Sequence, residues 1–301
     1  MSIALNKKRL LVCFFLFWGY TLIPGLLWAG EQIVHLDDTS ELVSQGSPRE
    51  QAMLVAVVRE SAKVLPGDLD SAREKALAEF IQPRYQDYIL SYSRLGGGSS
   101  QEQIWQVQVN TDEVIKLLKE LGVYYTVNNS LTYRLELINH GGSRLGRISD
   151  LELLSGCTQG NVQHPLFKIQ TTSDGKLQGI LEGQRNKWTA SGDNVEELWW
   201  SLWARYFSSS EEIRSFVQEV LVRIKGWSSL SAISGFSRQL TNWPQVVDQS
   251  SLVSLRGDSY GLHGWWKVIT PQSRALHKRL EEFSRSRDLD LKVQKRSEDK
   301  G

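Results

Sequence analysis

The spacing that most suggests chemistry is Gly257-Asp258-Ser259-Tyr260-Gly261, a match to G-x-S-x-G. In hydrolases a strand before such a serine and a helix directly after it hold the hydroxyl beside backbone N–H donors. Here the following residues Leu262, Gly264, Trp266 and Val268 fall at every second position, which is strand spacing. The match reads as a hairpin turn, and a serine hydrolase centred on Ser259 is the alternative it leaves. The overlapping Arg256-Gly257-Asp258 has the integrin-type sequence, but a tripeptide recurs by chance. His35, His140, His164, His263 and His277 form no H-x-x-x-H pair, and none stands beside a cysteine pair, so metal-ligand spacing is absent. The Gly-Gly-Gly-Ser-Ser run at 96–100 is followed by no lysine-bearing helix that would make it a phosphate cradle. Cys157 has no assignable histidine partner and reads as a buried thiol. No catalytic, cofactor-binding or metal-ligating residue is assigned, and no cofactor is implied.

The N-terminus says where such residues would be carried. Lys7, Lys8 and Arg9 precede an uncharged apolar run at 10–20, and Pro24-Gly25 and Ala29-Gly30 follow. That order predicts a signal peptide over residues 1–29, with cleavage after Ala29. An uncleaved anchor is the competing reading, because the apolar stretch is about 20 residues long. Cys13 lies inside that stretch rather than after it, which argues against a lipid anchor there. Losing the three cations turns 35 against 34 acids into 32 against 34, a net charge of about −2. This balance gives no sign of the cationic surface that a nucleic-acid partner needs. After cleavage no membrane span is expected, and Cys157 alone cannot form an intramolecular disulfide.

The remaining chain is predicted to be α+β: two small split β-α-β sandwich domains, each helix-hairpin-helix-strand, flanking a short α+β middle domain. The first covers 30–127. Leu54, Val57, Val58 and Ala62 have helical spacing over 47–64, and a second helix is expected from an Asp68 cap to the residue before Pro83. Residues 85–95 and 103–110 then read as a hairpin, Thr111 as the cap of a helix ended by Gly122, and 123–127 as a closing strand. The last domain, 211–294, spells a similar order. Val220, Val222 and Ile224 alternate, Ser228 or Ser229 caps a helix ended by Trp243-Pro244, and 246–255 pairs with 261–269. A helix after Thr270-Pro271 and a strand through Leu289, Leu291 and Val293 complete it. The middle domain, 128–210, offers strands at 131–138, 167–172 and 176–181, with 187–189 extending the sheet. Its helix at 194–207 carries Val195, Leu198, Trp199, Leu202, Trp203, Tyr206 and Phe207 on one face, which is either core or a protein or saccharide surface. Trp200 falls outside that face, and residues 295–301 read as a solvated, disordered tail.

The order of several segments resembles the domain of unknown function 2066 family of proteobacterial secreted proteins. These are the helix with Asp70-Ser71-Ala72-Arg73-Glu74-Lys75-Ala76-Leu77, the strands with Tyr88-Ile89-Leu90-Ser91-Tyr92 and Gln106-Val107-Gln108-Val109, and the helix end Leu117-Leu118-Lys119-Glu120-Leu121-Gly122. A turn at Trp188-Thr189-Ala190-Ser191-Gly192 and the run Val222-Arg223-Ile224-Lys225-Gly226-Trp227-Ser228-Ser229-Leu230 continue it. Pro83-Arg84-Tyr85 stands where that family tends to have Leu-Thr-Gly, and the middle segment is short. A more distant similarity is to the flagellar assembly protein T family. The resemblance implies a Gram-negative periplasmic setting and no assigned activity. The chain is accordingly expected to be an exported, non-catalytic protein-binding or envelope-assembly module with a periplasmic or outer-membrane protein partner. A structural part of the flagellar basal body is the alternative.

Overall fold

The computed structural model describes residues 29–36, 46–96, 103–138, 147–173, 175–259 and 261–295. The expected leader up to residue 28, most of the glycine-rich loop, His140, Tyr260 and the tail from 296 lie outside the described residues. Within them the chain is mixed α+β with three sheets.

The first sheet holds β1 (Ala29–His35), β2 (Ile89–Gly96) and β3 (Ile104–Asn110) in the antiparallel order β1-β3-β2. Against it pack α1 (Pro48–Val64), with α2 (Ser71–Ile81) and α3 (Thr111–Glu120) beyond. Helix α1 opens on a capping box: Ser47 Oγ accepts the Glu50 N–H, and the Glu50 carboxylate accepts the Ser47 N–H at 2.7 Å. Four expectations are corrected here. The cap of α2 is Asp70, not Asp68, since Asp70 Oδ1 accepts the Arg73 N–H at 2.9 Å. The cap of α3 is Asn110 rather than Thr111, whose hydroxyl instead donates to the buried Glu60. Residues Gln82–Tyr88 form a 3-10 helix, so the hairpin strand begins only at Ile89.

The fourth correction is topological. The expected strand at 123–127 is a short helix, α4 (Val123–Thr126), and β1 enters the sheet instead. Its four consecutive residues are all buried, which an alternating strand on a one-sided sheet does not provide. A single helical turn after Gly122 sends the Tyr124 ring toward Pro244 and the Tyr125 ring onto Phe207. Gly122 has φ +78°, and a Cβ there would run into the Phe207 ring, so the turn requires glycine twice over.

The second sheet runs β5 (Cys157–Gln159), β4 (Leu131–Ile138), β6 (Leu166–Thr171), β7 (Leu177–Glu182) and β8 (Lys187–Gly192). β4 is parallel to both neighbours and the other pairs are antiparallel. Residues 187–189 extend the sheet as expected, and the turn that the resemblance placed at 188–192 is instead the rest of this edge strand. Helix α5 (Ile148–Ser155) precedes β5, and α6 (Val195–Ser208), capped by Asn194, lies across β7 and β8. The third sheet holds β9 (Gln218–Trp227), β10 (Gln249–Asp258), β11 (Gly261–Thr270) and β12 (Asp290–Lys295), all antiparallel in the order β10-β11-β9-β12. α7 (Leu230–Thr241) links β9 to β10, and α8 (Ser273–Arg285) links β11 to β12, so each crossover passes over one strand. Among the described residues no helix is long and apolar enough to cross a membrane.

Buried apolar residues fall into two clusters, one from Val34 to Ile213 and one from Val220 to Phe283. They meet where the loop between α7 and β10 touches α3 and α4. Lys119 Nζ lies 2.5 Å from Asp248 Oδ1, Tyr124 donates its hydroxyl to the Pro244 carbonyl at 2.5 Å, and Gln245 donates to the Lys63 carbonyl. The capping geometry yields a direct comparison: Asp70→Ala should cost about 1 kcal/mol in urea unfolding and Asp68→Ala less than about 0.5 kcal/mol.

Candidate functional site

Ser259 sits exposed in the turn between β10 and β11, so a strand follows it and not a helix. Backbone N–H groups of a helix start, which would stabilise an oxyanion, are not delivered to its hydroxyl. The hairpin does bring Asp258 Oδ1 to 3.2 Å from the His263 ring Nε2, with the imidazole buried. A carboxylate and an imidazole therefore meet beside the serine without the elbow that hydrolases use. Arg256, two residues before Asp258, stacks over Trp265 at 5.6 Å.

The other histidines are scattered. His35 is on β1, His164 faces the Glu182 carbonyl at 3.4 Å, and His277 pairs with Glu281 at 3.0 Å one turn along α8. Among the described residues no three His, Cys, Asp or Glu side chains come together as a metal site. Cys157 is buried and unpaired, and burial pushes its thiol up to about 12, so the thiolate is scarce at neutral pH.

The aromatic face of α6, left open by sequence between core and surface, turns inward. Trp199 and Trp203 are 0% exposed and meet Tyr133 edge-on at 5.6 and 5.4 Å, with Phe167 closing the group. Trp200 points the other way, into a cleft of about 270 Å³ between α2, α5 and α6. Phe80 meets its ring edge-on at 5.1 Å, Arg84 lies over Phe80 at 4.5 Å, and Arg147 pairs with Glu196 at 3.6 Å on the rim. The Trp200 indole N–H is shielded and has no acceptor. The cleft falls just short of the roughly 300–1,000 Å³ usual for small-molecule sites. A wider, more polar hollow of about 490 Å³ lies beside β2, where Arg49 Nη1 donates to the Tyr92 hydroxyl at 3.4 Å.

Several buried charges had no signal in the sequence, and each is engaged with the framework. The Arg73 guanidinium donates to the Thr126 carbonyl at 3.2 Å, the Thr126 hydroxyl at 2.9 Å and the Leu154 carbonyl at 3.2 Å, serving the C-terminal ends of α4 and α5. A cation suits that end of a helix, where carbonyls lack partners. Burial holds the arginine below its ordinary value. Glu212 accepts the backbone N–H groups of Gln184, Arg185 and Asn186 at 3.0–3.1 Å and thereby shapes the β7–β8 turn. Glu60 accepts from Gln32 Nε2 and from the Thr111 hydroxyl, both at 2.6 Å, and ties α1 to β1 and α3.

Exposed large apolar residues gather on two edge strands. Leu90, Tyr92 and Leu95 stand on β2, and Leu252, Val253 and Leu255 on β10. Both strands carry irregularities in pairing, and the skipped residues are Leu90, Leu95 and Val253. Such a bulge breaks the flat edge that invites uncontrolled pairing, and it also re-aims one side chain. Comparison with family models, curated proteins and solved structures finds no match for this chain. The geometry at Ser259 predicts that the purified protein and its Ser259→Ala variant give the same background rate with a general ester substrate. A loss of turnover confined to the variant would make Ser259 a nucleophile after all.

Proposed function

We propose that this chain is an exported periplasmic module that works through protein contacts, as a binding or envelope-assembly part rather than an enzyme. The observation that carries the reading is the placement of exposed apolar side chains. Among the described residues, six of the eleven large ones stand on the edge strands β2 and β10, with Val253 60% exposed. Edge strands offer backbone N–H and C=O groups to a partner chain, and adjacent apolar side chains add contact area. The export setting is taken from the leader and from the order of features shared with the domain of unknown function 2066 family.

In the same reading the four-stranded sheet with α7 and α8 is a split β-α-β sandwich. The order β10-β11-β9-β12, with each helical crossover passing over one strand, supports this. The first sheet is then its reduced counterpart, with β1, β3 and β2 in the places of β9, β11 and β10 and no strand in the place of β12.

The test is site-specific photo-crosslinking in intact cells. A photoreactive residue at Val253 or Leu90 should give a discrete heavier species, and one at Lys278 on the exposed side of α8 should not. The crosslinked protein's identity separates an envelope-assembly partner from a flagellar one. Equal labelling at all three positions, or at none, contradicts the reading.

A further inference from the structure

The third sheet is covered by α7 and α8 on one face only. Its register brings together, on the opposite face, Arg256 with His263 and Lys225, and in the next row Ser254 with Trp265, Arg223 and Lys292. Four fixed cations, Arg223, Lys225, Arg256 and Lys292, thus surround the half-buried Trp265 ring, and none of them makes an ion pair among the described residues. Neighbouring strands lie about 4.8 Å apart, so from β10 to β12 the cations span about 14 Å. The acids facing them are few. Asp290 stands opposite Lys225, Asp258 lies against His263, and Glu219 is held by Lys267 at 2.7 Å. The Arg223 Nε–H is shielded from solvent and has no acceptor among the described residues. A chain with nearly balanced charge has concentrated cations on one open sheet face, which overall charge concealed.

We propose that this face binds an acidic peptide segment of a partner protein. Its carboxylates would meet Arg256, Lys225, Arg223 and Lys292, and its apolar residues would lie on the neighbouring Leu221. The inference rests on the reading of the chain as a partner-binding module and names the chemistry of the partner. Planar arginine forks match carboxylates in a bidentate manner. Two other polyanions fit less well. Single-stranded nucleic acid needs free aromatic platforms for its bases, and the one indole at the centre already has Arg256 stacked over it. A lipid surface needs exposed apolar residues on the contact face, and those of this sheet stand on the β10 edge instead.

Fluorescence anisotropy on the whole protein provides the test, with a labelled peptide alternating glutamate and leucine as probe. Binding should weaken as salt rises. Arg256→Gln with Lys292→Gln, both at exposed positions, should weaken it about tenfold, and Lys278→Gln on α8 should leave it unchanged. Circular dichroism confirms that the double variant is folded. The proposal is overturned if the lysine-for-glutamate peptide binds as well, if the double variant binds normally, or if no binding is seen at low salt. Preference for a thymidine oligonucleotide or for phosphatidylglycerol vesicles over the peptide overturns it too. Crosslinks at Val253 together with any of these failures would leave the partner-binding reading standing and remove only the acidic peptide.

Discussion

A charge pair on the buried Asp248 joins the two cores of this protein at its centre, flanked by the Tyr124–Pro244 and Gln245–Lys63 hydrogen bonds. The Asp248 side chain is 0% exposed, and Lys119 from α3 reaches it at 2.5 Å while leaning over the Tyr124 ring at 5.1 Å. Lys119 Nζ also donates to the Asp248 backbone carbonyl at 3.3 Å, so the contact combines a charge pair with a hydrogen bond. Taking a carboxylate out of water costs several kcal/mol, about what a cation at contact returns, so the buried Asp248 is costly without Lys119, whose side chain is 26% exposed. Burial and the Asp248 charge together keep the Tyr124 and Tyr125 hydroxyls protonated well above their ordinary range. Asp248 also donates its backbone N–H to the Ile269 carbonyl at 2.8 Å, which starts the β10–β11 ladder. The residue that bears the buried charge therefore also fixes where the apolar edge strand begins.

The same logic recurs within the first core. Arg73, Glu60 and Glu212 are buried ionisable groups, and each satisfies backbone or side-chain polar atoms that local structure leaves without partners. An unpaired buried donor or acceptor costs about 1–3 kcal/mol, so placing a charge at helix ends or in a turn stabilises several such groups at once. These side chains are spent on positioning α4, α5, β1 and the β7–β8 turn. That is the physical content of the proposal that the chain works by contact: its buried charges serve the framework, and its open faces and edges carry exposed cations and apolar side chains.

Much of the fold was legible because its signals are local. Ser47, Asn194 and Ser229 cap helices as their types suggest, and the alternation in β9, β11 and β12 places Val222, Trp266 and Val293 on one face. The paired tryptophans of α6 were visible as a stripe, but only packing against Tyr133 and Phe167 shows which way it faces. Illegible features depend on distant contacts. β1 follows the apolar run at 10–20 in sequence and pairs with a strand about 75 residues on, α4 is a turn whose two tyrosines are both buried in the first core while Tyr124 reaches the Pro244 carbonyl, and the cap at Asp70 wins over Asp68 by two residues. The cationic face escaped because Arg223, Lys225, Arg256 and Lys292 are spread over three strands and meet only in register.

A double-mutant cycle across the junction tests the central claim most directly. Lys119→Met, Asp248→Asn and the double variant would be compared with the parent by urea unfolding. The account predicts that Lys119→Met costs about 3 kcal/mol or more, Asp248→Asn less, and the double far less than their sum, a coupling of at least about 2 kcal/mol. A coupling below about 0.5 kcal/mol would mean that the pair is incidental and that the cores are joined by something else.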